Sequence, residues 1–194
     1  MKVTLDTNCV YDLEESNPPS FVLRLVELGR TQQITLSVPA IAASERQPNG
    51  GHLDSFAKFR ERLIRVGLEH AELLRPLAYI GLAYIDWCVL SGPELEAKER
   101  QIHEILFPTI AFRASDYCPE SDVIGRRKWR NAKCDVQAMW CHIHYGSDIF
   151  VTRDQDFLKQ SVKSRLEALG AKKIAAPEDA VEMIETGLKR NGPI

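Results

Sequence analysis

Short apolar, β-branched runs recur along the chain, and each stops at a polar turn. The clearest cover residues 3–5, 34–38 and 149–152. Runs of this length between breakers predict buried strands. A weaker run, 172–175, predicts a last strand. Between them the apolar positions change to helical spacing. Phe21, Val22, Leu25, Val26 and Leu28 form one stripe, with Ser20 as expected N-cap and Gly29 as expected stop. Phe56, Phe59, Leu63 and Ile64 form a second. Leu95, Ile102, Ile105 and Leu106 form a third, opened by Gly92-Pro93 and ended by Pro108. Val136, Met139, Trp140 and Ile143 form a fourth, on a helix expected over 131–145 and ended by Gly146. Shorter helices are expected over 9–15 and over 39–45, the latter with Pro39 at its first position. A helix over 154–169, closed by Gly170, and a final one after Pro177 complete the pattern.

Residues 47–51 read as a loop. The longest apolar stretch, 76–90, is too short for a membrane span and reads as core; periodicity leaves helix and strand both open there. Over 109–125 a short strand at 109–112 and a loop are expected. Helices alternating with short strands predict an α/β fold, a parallel sheet with helices on both faces.

The chain has 194 residues, so one domain over 1–194 is the default. The formal net charge of −2 gives no global basic field, which leaves a local patch as the only electrostatic route to nucleic acid. Five cysteines, none in a CxxC pair, and an N-terminus that enters a strand without a leader pattern predict buried free thiols in a reducing cytoplasmic setting, with no membrane association.

Chemistry concentrates where strands end. Asp6 follows the first strand and Asp154 the later one. In an open parallel sheet, strand C-termini and the N-termini of the helices after them share one edge. Asp135, expected near the start of its helix, and Glu45, on the helix after the second strand, can reach that edge. Clustered carboxylates need raised pKa values or a cation. Hard oxygen donors suit Mg²⁺ or Mn²⁺, which lower the pKa of water and neutralise a phosphodiester. The run Arg126, Arg127, Lys128, Trp129, Arg130 fits phosphate contacts with base stacking on single-stranded RNA, and equally a solvated loop before a helix.

Asp6-Thr7-Asn8 resembles the opening acid motif of the PIN-domain nucleases, which include the toxins of toxin–antitoxin pairs. Val151 to Phe157 resembles their closing strand-plus-acid motif, Asp135 their third acid and Glu45 in Ala42-Ala43-Ser44-Glu45 their second. The resemblance covers residues 1–45 and 131–185. It implies a three-layer α/β/α sandwich and a metal-dependent endoribonuclease. Asp6, Glu45, Asp135 and Asp154 would be the catalytic, metal-holding acids. Thr152 and Asp156 would support them, and Asn8 would orient Asp6. It further implies an RNA substrate, a homodimer and a small antitoxin partner. Residues 46–130 match no family motif and are expected to add helices within the domain.

Two other classes compete. One is a non-catalytic PIN-like module that binds RNA or protein. The other is a phosphate-transfer enzyme of haloacid-dehalogenase or receiver type. The former of these wants an acid where Asn8 stands. The latter wants an acid pair before the phospho-acceptor and a later lysine, which the pattern does not place.

Overall fold

A computed structural model describes residues 1–45, 51, 53 and 55–190. All of the expected loop over 47–51 except Gly51 lies outside them. Five strands form one sheet: β1 (Lys2–Leu5), β2 (Thr35–Pro39), β3 (Glu72–Leu74), β4 (Ile149–Val151) and β5 (Lys173–Ala175). Their order is β3-β2-β1-β4-β5, and every neighbouring pair is parallel. The chain therefore builds outward from β1 in one direction, then returns beside it with β4 and builds the other way. The topological switch point lies between β1 and β4, where open sheets leave a crevice beyond their strand ends.

Alternation along the strands sorts the core into two faces. Val3, Leu5, Leu36, Val38, Ile149 and Val151 pack on one, against α2 (Ser20–Arg30), α3 (Phe56–Arg65) and α9 (Pro177–Arg190). Phe150 and Ile174 face the other side, against α4 (Pro93–Leu106), α6 (Val123–His144), α7 (Gln155–Leu158) and α8 (Gln160–Leu166). Each large apolar side chain buried this way contributes about 1.5–3 kcal/mol. The remaining helices are short: α1 (Thr7–Asp12) and α5 (Ala114–Tyr117). Among the described residues no helix is long and apolar enough to cross a membrane.

Local signals placed β1, β2, β4 and β5 but not β3, and missed several boundaries. Pro19, not Ser20, precedes α2, without a side-chain cap, and the helix runs through Gly29 to Arg30. Gly29 serves close packing instead: a Cβ there would stand 2.8 Å from His70 Nε2 and 3.0 Å from Leu36 Cβ. Pro39 is the last residue of β2, and Ala40–Ser44 form a 3₁₀ turn rather than an α-helix. The expected helix over 154–169 is broken into α7, α8 and a wider turn at Glu167–Ala171. No strand forms at 109–112, where the chain turns into α5.

Residues 76–90 are neither helix nor strand, apart from a 3₁₀ turn (Ile85–Trp87) and one bridge, Leu77 to Val89. Leu77 and Leu82 are buried, but Ile80, Ile85 and Leu90 lie on the surface, so the stretch is only partly core. The middle of the chain adds the expected helices and one edge strand, β3.

The largest departure is α6. It begins at Val123, so the basic run lies inside a helix and not in a loop before one. Its start was legible: Asp122 accepts from Gly125 N, and a Cβ on residue 125 would strike that capping carboxylate.

A polar seam crosses the α6 face of the sheet. Ser37 Oγ donates to Val3 O (3.0 Å), and Thr4 lies beside it. His142, fully buried on α6, meets Thr4 Oγ1 at 3.1 Å and Ala171 O at 2.7 Å. A carbonyl only accepts, so Nε2 carries the proton and Nδ1 accepts from the Thr4 hydroxyl. Burial pushes the imidazole down to about 4, with Lys172 adding to the fall and Ala171 and Asp148 opposing it. The folded chain thus holds His142 neutral where the unfolded chain protonates it. Its contribution is whole above about pH 6.5 and is lost as pH falls toward 4. The loss reaches about 2 kcal/mol at pH 5. Because the raised carboxyls of Asp6 and Glu45 act in the opposite sense, the effect is read as a difference: urea unfolding should show wild type losing about 2 kcal/mol relative to His142→Asn between pH 7 and pH 5. An equal slope in the variant would assign the effect to other groups.

Candidate active site

The crevice at the switch point gathers the acids. Asp6 follows β1 and caps α1, with its backbone N–H on Val151 O of the neighbouring strand (2.9 Å). Its Oδ1 accepts from Thr7 N (2.8 Å), and its Oδ2 accepts from Asn8 Nδ2 and Thr152 Oγ1 (2.6 Å each). Asn8 also donates to Thr152 Oγ1 (3.0 Å) and accepts from Arg153 N (3.1 Å). Thr152 Oγ1 in turn accepts from Asp154 N (2.9 Å). Asn8 and Thr152 therefore tie the two strand ends together and orient Asp6 between them. Asp154 caps α7 through Asp156 N (2.8 Å). Asp156 itself is exposed and pairs with Lys159 (2.6 Å).

Glu45 follows the 3₁₀ turn after β2, and its Oε1 accepts from Thr7 Oγ1 (2.5 Å). Thr7 was not assigned this part from sequence, although it stands within the opening motif. Arg130 secures the turn: it donates to Ser44 O through Nη2 (3.0 Å) and to Gly81 O through Nη1 (2.6 Å).

Asp135 sits in the middle of α6, not in its first turn, so the helix dipole does little for it. It reaches the edge by length. The seven residues from His142, level with mid-β1, carry the helix up by about 10 Å, past the strand ends.

The charges of these four acids act on one another. Burial pushes the Asp6 carboxyl up to about 6, with Asp154 adding to the rise and the bonds from Thr152, Thr7 and Asn8 opposing it. Burial pushes Glu45 up to about 8, assisted by Asp6 and Asp154. Asp135 is held well above the usual carboxylate range by burial, then by Glu45, Asp6 and Asp154. Among the described residues, no three of His, Cys, Asp and Glu stand in a metal-holding geometry. Their oxygens turn to internal donors instead: Asp6 to three, Glu45 to Thr7, and Asp154 to its own helix. Mutually repelling carboxylates are the kind of hard oxygen donors whose repulsion a divalent cation would relieve.

Asp135 has no hydrogen-bond partner among the described residues, so it tests that repulsion. Its raised pKa makes its ionisation destabilising as pH rises through the folded value. The metal-free Asp135→Asn protein should be more stable than wild type, on the order of 1 kcal/mol at pH 8, with no difference at pH 4. Thermal denaturation in EDTA measures it. A variant less stable at both pH values would remove Asp135 from the charged cluster.

The basic run divides. Trp129 is buried and stacks no base; its Nε1 donates to Ala111 O (3.1 Å). Arg130 is spent on the Glu45 turn, and Arg126 lies 3.6 Å from Glu120. Arg127 and Lys128 are exposed. No family model, no curated protein and no solved structure matches this chain.

Proposed function

We propose that the chain is a PIN-like, Mg²⁺- or Mn²⁺-dependent endoribonuclease that hydrolyses RNA phosphodiester bonds. The observation that carries this is the mutual electrostatic action of four acids from four separate segments at the switch point of a parallel sheet. Asp6, Glu45, Asp135 and Asp154 would hold the cation. It supplies charge neutralisation and a water of lowered pKa. The chain's own residues do the rest. Asn8 and Thr152 fix Asp6, and Thr7 and Arg130 fix Glu45. Any one of the four that the cation leaves free would accept the proton of the attacking water. Arg127 and Lys128, on the helix that carries Asp135, hold the backbone of the strand. By the same resemblance, a small antitoxin and a second copy of the chain are the expected partners.

One observation favours a non-catalytic binding module. Asp6, Glu45 and Asp154 accept from internal donors, and among the described residues no three acids stand in a metal-holding group. The deciding experiment is cleavage of a labelled single-stranded RNA pool with Mg²⁺, Mn²⁺ or EDTA. Cleavage with a metal and none in EDTA supports the nuclease. RNA binding without cleavage under any metal supports the module.

A further inference from the structure

An open cavity of about 630 Å³ adjoins Asp154, and its lining includes Asn8, Arg153, Gln155, Leu158 and Glu178. Its volume lies in the range of small-ligand sites and exceeds that of one nucleotide. Among the described residues that line it, Arg153 is the only basic side chain. Its backbone N–H is fixed on Asn8 Oδ1 (3.1 Å), and its Nη2 donates to Asp12 Oδ1. Asp12 is fully buried, and among the described residues its second oxygen has no partner. A carboxylate left half-satisfied in the interior is costly; here it anchors a guanidinium that is itself half exposed. A guanidinium carries five N–H donors. Among the described residues the side chain of Arg153 uses only the one on Asp12, so the rest of the fork is free beside Asp154. A held guanidinium with spare donors matches the bidentate geometry of a phosphate. Glu178 repels a phosphate but accepts from the exocyclic amine of a base.

We propose that this cavity takes the nucleotide adjoining the scissile phosphate, with Arg153 binding that nucleotide's own phosphate and Glu178 facing its base. The proposal rests on the nuclease reading and names a substrate-binding subsite within it. Arg153 thereby sets the strand's position relative to Asp154.

The test uses Arg153→Met and Arg153→Lys, with Asp12→Asn/Arg153→Met as the variant that leaves no unpaired carboxylate in the core. Cleavage of labelled single-stranded RNA gives kcat and KM. Fluorescence anisotropy in EDTA gives RNA affinity against salt. Loss of one phosphate contact should raise KM by about tenfold and lower the salt slope by about 0.7. Arg153→Lys should recover part of the affinity, as a point charge without the fork. A double variant with wild-type KM and salt slope, beside a wild-type protein that cleaves, overturns the subsite and leaves the nuclease standing. A wild-type protein that neither cleaves nor binds RNA overturns the nuclease reading, and the subsite with it.

Discussion

Asp154→Asn should lower metal-dependent RNA cleavage by at least about a hundredfold while leaving the fold in place. The two effects separate because of what each carboxylate oxygen does. Oδ1 of Asp154 caps α7 by accepting from Asp156 N, and Asn caps a helix as well as Asp. Stability should therefore change by less than about 0.5 kcal/mol. The lost negative charge removes one of the four acids expected to hold the cation. Asp6→Asn offers no such separation. Three donors converge on Asp6, and an amide would turn an N–H₂ toward at least one of them. That costs about 1–3 kcal/mol, so lost activity there would confuse misfolding with chemistry. Rates for Asp154→Asn and wild type in Mg²⁺, beside their urea midpoints, check both halves. Wild-type cleavage by the variant would remove Asp154 from the site.

The second large effect lies away from the acids. Lys133 is fully buried on α6, paired with Glu99 of α4 (2.8 Å) and enclosed by the rings of Tyr79, Phe112 and Trp129. Glu99 Oε1 also accepts from Gln137 Nε2 (2.7 Å), and Gln137 accepts from Leu77 N (2.9 Å). Burial lowers the Lys133 pKa, and Glu99 holds it up. Glu99→Leu strands the ammonium in the core and should cost about 3 kcal/mol, the lower end for a broken buried pair, because the aromatic rings retain some attraction for the cation. Glu99→Leu/Lys133→Met should recover most of that. It would remain about 1 kcal/mol below wild type because Gln137 still lacks an acceptor. Urea denaturation of the two singles and the double gives the coupling energy. A Glu99→Leu loss under about 1 kcal/mol would mean that water reaches the lysine.

The contrast between these two regions follows from the range of the forces involved. Asp6 and Asp154 were legible because a strand that stops at an acid is a local event, written in consecutive residues. Arg153 was legible as a letter of the closing motif but not as a cavity residue, since its partner Asp12 lies far off in sequence. The basic run shows what local pattern leaves open. Five residues that fit an RNA surface or a solvated loop become a buried Trp129, a structural Arg130, an Arg126 beside Glu120, and an exposed Arg127 and Lys128 once α6 begins at Val123.

The sequence by itself determined four of the five strands, the α/β class and the acids at strand ends, because period, branching and turn chemistry act between near neighbours; the short edge strand β3 carried no such signal. Only the tertiary structure decided three things. It placed β4 beside β1 and so set the switch point. It put Glu45 on a 3₁₀ turn held by Arg130 and Asp135 midway along a long helix. It buried Lys133 among rings drawn from three segments. Each depends on surfaces meeting across many residues of chain, where desolvation and charge sum over partners that no local pattern names.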